Sequence, residues 1–285
     1  MPCSLYDDGT RLSCALADAA YRPPPLPPLP LSAARALVHG GRSVYFVGDS
    51  LSAQHFRAFA CMLEPLVAGP HHGSRIAGNL GQRLNCVKPS APRAGSICAI
   101  RLSVPIATSE LLRRGLSSGD VVVLNEGVYV RSDADGGLQR ELDHVGKALR
   151  DTNLAALRAS GALVLWRETL AQHFPTASGL YAKPGLGIDP ARSLIQGSCR
   201  PLRDASVATR ANSAVTNLVR SFNVSVLRAF STSAERWDEH IDRHSEYARN
   251  KNSTDCTHFC EPSSLMATLN GELLAAVRRF DRSKS

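Results

Sequence analysis

Two short motifs near opposite ends of the 285-residue chain carry residue types that could perform acyl transfer. Gly48-Asp49-Ser50 directly follows the apolar segment Ser43–Val47. A serine at a tight strand-to-helix turn exposes its hydroxyl near backbone N–H groups that can stabilise an oxyanion. The alternative is a plain turn, because glycine, aspartate and serine are also common turn residues.

A base for this serine is available in the segment Asp255-Cys256-Thr257-His258. The spacing allows Asp255 to bind the Nδ1 proton of His258, which leaves Nε2 free to face Ser50. The alternative is a helix cap beside a surface histidine, since most of the nine histidines must be structural. The two motifs together favour a triad in which Ser50 is the nucleophile, His258 the base and Asp255 its orienting group.

Strands and helices that could position these motifs alternate along the chain. The predicted strands are Ser43–Val47, Asp120–Asn125, Ala162–Trp166 and Val224–Leu227. The predicted helices are Ala53–Leu66, Leu138–Ala159, Ala205–Phe222 and Leu265–Phe280, the last capped by Ser263 or Ser264. This order predicts an α/β fold of three layers around a parallel sheet. Ligands bind such sheets at the carboxyl ends of the strands, where Gly48-Asp49-Ser50 and Asn125-Glu126-Gly127 both lie.

Cysteine usage favours the secretory pathway, in the Golgi lumen or outside the cell. The eight cysteines contain no CxxC pair, which argues against a zinc or thioredoxin-type site, and no metal is expected. Glycosylation sequons begin at Asn223 and Asn252. No apolar run is long enough to span a membrane, and the N-terminus does not have the pattern of a signal peptide. Reduced cysteines in a cytosolic protein are the alternative.

The net charge of +8 suits an acidic partner. The basic residues are scattered, however, and aromatic residues make up only 6% of the chain, so no stacking platform for nucleic acid is expected. Weak attraction to an acidic glycan is the alternative that the charge leaves open.

Four sequence blocks, in order, resemble the trichome birefringence-like proteins of the PC-esterase branch of SGNH hydrolases. GDSLSAQHFRAFACMLEPL is similar to the GDSL block, and DVVVLNEG to a DVLVFNTG block. WRETLAQHFPTASGLY, followed by QGSC, is similar to the FR-(S/T)-x-SP-x-HF and GGSC segments. DCTHFCEPS is similar to the terminal DCSHWCLPG-like block. The blocks cover the chain from Ser43 onward.

The resemblance implies a flavodoxin-like SGNH catalytic domain over residues 43–285, preceded by a short Cys- and Pro-containing arm, residues 1–42, packed on it. It implies a polysaccharide O-acetyltransferase working through an acetyl-Ser50 intermediate. A carbohydrate or lipid acetylesterase with the same triad is the first alternative. A non-catalytic glycan-binding domain with a vestigial triad is the second. No cofactor is expected to be bound, and the acetyl donor, acetyl-CoA or another activated acetyl group, is not identified.

The resemblance also assigns supporting residues. Asn125 and Gly127, with Gly48 and Asp49, are expected to line the site, Asn125 as a donor to the oxyanion. The expected roles of Arg167, His173 and Gln54 are substrate contact or support of the loops.

The cysteines of the matched blocks are expected to form disulfides. Cys61 is expected to join the N-terminal arm, at Cys14 in preference to Cys3. Cys199 is expected to pair with Cys256 or Cys260.

Two departures from the family pattern lie close to the motifs. Ala53-Gln54 replaces Arg-Asn, and Val128-Tyr129-Val130 replaces the aromatic HWW. Smaller side chains here predict a less crowded site, in which hydrolysis of small activated esters accompanies any transfer.

Overall fold

The computed structural model describes nine parts of the chain, and every structural statement below concerns them. They are residues 31–63, 84–88, 91, 93–128, 136–176, 178–180, 199–242, 255–260 and 263–284. The predictions for Cys3, Cys14 and the sequon at Asn252 lie outside these ranges.

A six-stranded sheet forms the centre of the molecule, and a two-stranded sheet lies beside it. The strands are β1 Val44–Gly48, β2 Leu84–Val87, β3 Ile97–Ile100, β4 Val121–Asn125, β5 Leu163–Arg167, β6 Ser225–Leu227, β7 His240–Asp242 and β8 Asp255–Phe259. The central order is β2-β3-β1-β4-β5-β6, with only the β2–β3 pair antiparallel. Strands β7 and β8 form the small antiparallel sheet.

Helices cover both faces of the central sheet. They are α1 Leu31–His39, α2 Ser50–Met62, α3 Val104–Arg114, α4 Gly137–Asp151, α5 Leu154–Ala159, α6 Ala205–Ser221, α7 Phe230–Ala234 and α8 Ser264–Lys284. None of these described helices is long and apolar enough to cross a lipid bilayer.

The strand order confirms the predicted α/β fold and places a crevice at its centre. Taken in chain order, the five parallel strands β1, β3, β4, β5 and β6 lie in the flavodoxin-like sequence 2-1-3-4-5. Connections therefore run in opposite directions from β1 and from β4. Such a switch point leaves a crevice outside the carboxyl ends of the two neighbouring strands. Gly48 and Asn125, which end β1 and β4, are register partners at this point.

The two faces of the sheet bury separate apolar clusters. Side chains of a strand alternate between faces, and in β4 Val121 and Val123 pack with α1, α2 and α8. Val122 and Leu124 point the other way and pack with α3, α4, α5 and α6. Because both faces are covered, the strands read as continuous apolar runs, which is why the sequence pattern located β1, β4 and β5.

The single helix predicted over Leu138–Ala159 is wrong, because the structure has two. Helix α4 ends at Asp151, and the Asn153 side chain accepts a hydrogen bond from Ala156 N at 3.0 Å and so caps α5. Asparagine binds nearby backbone N–H groups in this way and competes with helix continuation. Leu154 and Leu157 still join the core with α4, which made the pattern look continuous.

The sequence analysis also missed β2, β3 and α3. Strand β2 forms the antiparallel edge, and Cys86 and Cys98, which are register partners on β2 and β3, form a disulfide with a Cα–Cα distance of 4.1 Å. These strands have four residues each, which leaves little periodicity to detect.

Candidate active site

Ser50 lies at the switch point because β1 passes into α2 without a loop. Gly48 has φ of +133°, and a Cβ at this position would lie 1.7 Å from Asn125 O, so only glycine fits where β1 meets β4. Asp49 is the N-cap of α2, since its carboxylate accepts from Leu51 N at 3.0 Å. Ser50 is consequently the first residue of the helix, at the carboxyl edge of the sheet.

The two motifs, 208 residues apart, meet in a hydrogen-bonded line. Ser50 Oγ lies 2.8 Å from His258 Nε2. On the other side of the ring, His258 Nδ1 lies 2.9 Å from Asp255 Oδ2 and 3.2 Å from Oδ1. A carboxylate only accepts, so Nδ1 carries the imidazole proton and Nε2 accepts from the Ser50 hydroxyl. The distances agree with the geometry expected of a serine–histidine–aspartate triad.

The segment that carries Asp255 and His258 is the strand β8 rather than the start of a helix. Residues three apart on a regular strand point to opposite faces. Between its pairs with His240 and Asp242, however, β8 advances four residues while β7 advances two, and this bulge re-aims the side chains. The Asp255 carboxylate also accepts from the backbone N–H groups of Thr257 and His258, at 3.1 and 3.0 Å. The chain thus curls around Asp255, which brings its carboxylate to the imidazole.

The environment of Asp255 keeps its carboxylate ionised. Burial acts to raise its pKa, but the hydrogen bonds and charge of His258 outweigh burial and hold the pKa below its ordinary value. The side chains of His258 and Asp255 remain 24% and 22% exposed. Asp255 is therefore an ionised partner for the His258 ring, and solvent still reaches both side chains.

Gln54 links α2, the helix that begins at Ser50, to β8 through hydrogen bonds. Its side chain is fully buried, its Nε2 donates to Phe259 O, and its Oε1 accepts from Phe259 N at 3.1 Å. Both backbone groups of the residue next to His258 are thereby held by α2, one turn after Ser50. Of the two roles expected for Gln54, the structure favours support over substrate contact.

The Cys199–Cys256 disulfide braces the start of β8, as one of the two pairings expected for Cys199. Thr257 Oγ1 accepts from Gln172 Nε2 at 3.0 Å on the same strand. Cys61 and Cys260 are also disulfide-bonded. The arm pairing expected of Cys61 stays a prediction.

Arg167, at the end of β5, is hydrogen-bonded to the start of α2 and to the end of β4. It is 1% exposed, and its guanidinium donates to Leu51 O at 2.9 Å and to Asn125 Oδ1 at 2.7 Å. Burial lowers the pKa of Arg167 to about 10, against the opposing charge of Asp49. Burial likewise raises the pKa of Asp49, which the charge of Arg167 partly offsets. Arg167 and Asp49 thus stabilise the turn at Ser50 through the backbone of Leu51.

The expected oxyanion role of Asn125 does not fit its surroundings. The side chain is fully buried, and its Nδ2 donates to Arg167 O at 3.0 Å and lies 3.3 Å from Thr169 Oγ1. Its amide protons are therefore directed at β5 and not at Ser50. Gly127 is buried too, and a Cβ there would approach Glu141 and Val145 of α4.

Three further residues lie deeper than the sequence suggested. His173 is 0% exposed, which favours loop support over substrate contact. Ala53 and Val128 are 6% and 2% exposed and pack in the core, Val128 beside Leu51 and Phe259. The expectation of a less crowded site stays a prediction, and Tyr129 and Val130 lie outside the described residues.

Sequence reasoning missed Glu239 and His240, which support β8 and the helix after it. Buried Glu239 accepts from Leu265 N at 3.0 Å at the start of α8, and its backbone O accepts from Cys260 N at 2.6 Å. Ser263 caps the same helix through Met266 N at 3.2 Å, as one of the two serines expected. No motif marks Glu239 or His240, because their hydrogen-bond partners around β8 and the start of α8 lie 18 to 26 residues later in the sequence and come close only in the folded chain.

Comparison with known proteins finds similarity among solved structures. No protein-family model matches the chain, and no curated protein matches it in sequence. Among solved structures, a GDSL-like lipase from Bacteroides thetaiotaomicron is similar with a TM-score of 0.41 and 11% sequence identity, over 99% of this chain and 100% of that one. The functional assignment below therefore rests on the geometry of the triad and on the sequence blocks.

Proposed function

We propose that the protein is a serine-dependent acyl-ester enzyme that forms a covalent acyl intermediate on Ser50. The observation that carries this proposal is the line from the Asp255 carboxylate through the His258 ring to the Ser50 hydroxyl, with contacts of 2.9 and 2.8 Å. A serine hydroxyl is a weak nucleophile until a base removes its proton, and His258 Nε2 lies within proton-transfer distance of Ser50 Oγ.

The first half-reaction acylates the enzyme. Ser50 Oγ attacks the acyl carbonyl carbon while its proton passes to His258 Nε2. The tetrahedral intermediate then breaks its bond to the leaving group, which takes that proton and departs. Asp255 stays ionised and stabilises the imidazolium between these steps. Because Ser50 begins α2, the oxyanion develops near the positive end of a helix.

The second half-reaction depends on the acceptor. An acceptor hydroxyl gives its proton to His258 Nε2 and attacks the acyl carbon, and the proton returns to Ser50 Oγ as the ester bond breaks. A sugar hydroxyl as acceptor makes the protein an O-acetyltransferase, whereas water makes it an esterase. The resemblance of the four blocks to trichome birefringence-like proteins favours transfer to a polysaccharide. The net charge of +8 suits an acidic glycan.

The cysteines favour action in an oxidising compartment. Cys86–Cys98 and Cys199–Cys256 are disulfides in the described part of the chain, and such bonds persist in secretory compartments and outside the cell. Polysaccharides that carry or receive acetyl groups in the Golgi lumen or outside the cell are the substrate class of this proposal.

Intact-protein mass spectrometry with p-nitrophenyl acetate and candidate glycans tests the proposal. We expect wild-type protein to gain one acetyl group on Ser50 and lose it to a glycan or to water. Ser50→Ala should not acylate, and His258→Ala should acylate slower by several orders of magnitude, because the triad acts as a unit. Ser118→Ala, at an exposed position before β4, is the matched control and should behave as wild type.

The products separate the alternatives. Acetylated glycan identifies a transferase, and acetate alone identifies an esterase. Equal release of p-nitrophenol by folded wild type and folded Ser50→Ala would contradict the enzyme assignment and leave the glycan-binding domain.

A further inference from the structure

Two buried imidazoles that the triad does not use stand in a chain behind the base. His173 and His240 are 0% and 2% exposed. His240 Nδ1 lies 2.9 Å from the backbone oxygen of His258, and His240 Nε2 lies 2.7 Å from His173 Nδ1. The chain ends where His173 Nε2 lies 3.0 Å from Ala234 O. The pair thus connects the backbone of the catalytic base to α7.

Two rings that hold one proton each cannot donate across all three contacts. A backbone oxygen only accepts, so a hydrogen bond to His258 O requires the proton of His240 on Nδ1, and one to Ala234 O requires the proton of His173 on Nε2. Burial lowers the pKa of both imidazoles, that of His240 to about 3, so each ring holds one proton near neutral pH. With the proton of His240 on Nδ1, its Nε2 is an acceptor, and the 2.7 Å contact requires that His173 donate from Nδ1. His173 thereby selects the tautomer of His240 that binds His258.

When both rings are neutral, one of the three contacts lacks a proton, and in this assignment it is the contact with Ala234 O, which lies farthest from Ser50 along the chain of contacts. With both protons on Nδ1, His173 Nε2 faces Ala234 O without a proton between them. Each of the other three neutral arrangements leaves two like groups facing each other at His258 O, at the 2.7 Å contact between the rings, or at both. The contact between the two rings is buried, whereas the contacts at His258 O and at Ala234 O are both partly buried, so the missing proton costs least at one of these two ends. The longer of the two, at Ala234 O, is the one left without a proton in this assignment.

His240 also contacts Phe259, the residue after His258 in β8. Its ring stacks on Phe259 with a centroid distance of 3.9 Å and an interplanar angle of 30°. Phe259 is the residue whose backbone Gln54 holds from the opposite side, in α2. The His258 imidazole therefore projects from a segment clamped by His240 on one side and by the nucleophile helix on the other.

We propose that His240 is a positioning residue for acyl transfer, which holds the His258 carbonyl and thereby keeps the imidazole at Ser50, and that His173 sets its tautomer. The inference rests on the proposed function for its kinetic consequence only. A catalytic group must be held to a fraction of an ångström by groups that are themselves fixed. A buried N–H donor on a stacked, planar ring meets this need, and it explains why two imidazoles occupy positions that apolar side chains could fill.

Kinetics of three variants provide the first test. His240→Phe keeps the flat ring and removes the donor, so we expect kcat to fall about 10- to 100-fold with KM nearly unchanged. His240→Asn keeps an N–H group near the position of Nδ1 and should recover most of kcat. His55→Phe replaces another buried histidine, which packs against Phe46 of β1, and should stay near wild type. An unchanged kcat in folded His240→Phe would overturn the proposal.

NMR of protein labelled with ¹⁵N-histidine provides a second test that needs no substrate. In wild type, His240 should be protonated on Nδ1 and bare on Nε2, and His173 should be protonated on Nδ1. In His240→Phe, the ring signals of His258 should shift. Protonation of His240 on Nε2 would overturn the proposal even if His240→Phe does not fold. Absence of acyl-Ser50 in wild type would instead refute the proposed function and leave this test intact.

Discussion

At the scale of single residues, the site depends on where one proton lies on one ring. Asp255 accepts from His258 Nδ1 and from two backbone N–H groups of the same turn. The carboxylate therefore sets the imidazole tautomer and also shapes the strand that carries it. Ser50 is positioned more simply, because the N-terminus of α2 fixes its backbone and its hydroxyl lies 2.8 Å from His258 Nε2.

Replacing Asp255 by asparagine should impair acylation severely without abolishing it. An amide can donate to Nδ1, which favours the tautomer with the proton on Nε2, and the ring then cannot accept the Ser50 proton. We expect kcat to fall by about three to four orders of magnitude. Single-turnover release of p-nitrophenol measures this loss, with circular dichroism to confirm folding. A loss of less than about tenfold would mean that Asp255 does not orient the base.

At the scale of elements, the site is the junction of α2 with β8. Every residue from Cys256 to Cys260 has a partner outside β8: the Cys199 disulfide, Gln172, His240, Gln54 and Glu239, in that order. A two-stranded sheet is barely stable by itself, so these contacts supply the rigidity that a catalytic strand requires. Gln54 matters most among them, because it joins β8, which carries His258, directly to α2, which begins at Ser50.

Substituting Gln54 by methionine should separate packing from hydrogen bonding at this junction. The side chain has a similar shape but leaves Phe259 N and O buried without their partner, at a cost of about 1–3 kcal/mol per group. We expect a lower urea midpoint and a kcat reduced by more than about tenfold. Gln139→Met, at an exposed glutamine of α4, is the matched control. A Gln54→Met variant with unchanged stability and kcat would show that the clamp has no function.

At the scale of the whole molecule, three histidines in the described part of the chain are buried in the neutral form. Burial is the main cause that lowers the pKa of His55, His173 and His240 below the ordinary value. In the unfolded chain these rings take up a proton near pH 6.5. The folded state resists that proton, so the histidines oppose folding increasingly as the pH falls below that value.

Stability should therefore decrease on mild acidification. Each histidine that binds a proton only when unfolded lowers the free energy of unfolding by about 1.4 kcal/mol per pH unit below pH ~6.5. Urea unfolding at several pH values between about 5 and 8 measures the slope, and His240→Asn should reduce it by about one proton. A free energy of unfolding that is constant over this range would contradict the burial of neutral imidazoles.

The sequence by itself determined the features that local chemistry specifies. Apolar runs bounded by turns located β1, β4 and β5, and the alternation with helices was enough to predict a parallel sheet and the edge where ligands bind. The triad could be proposed because Gly48-Asp49-Ser50 and Asp255-x-x-His258 each need only a few neighbouring residues to define them. One of the two pairings expected for Cys199 was also correct.

Only the tertiary structure decided which buried polar groups serve the site. Asn125 was expected to donate to an oxyanion, yet its amide is directed at Arg167, and Gln54 holds a strand 205 residues away. The His173–His240 pair carries no motif at all. The physical reason is that a buried polar side chain takes whichever partner the fold brings to it, and these partners lie on other elements. Local sequence specifies strands, helices and turns, whereas long-range packing specifies which buried polar groups hydrogen-bond to one another.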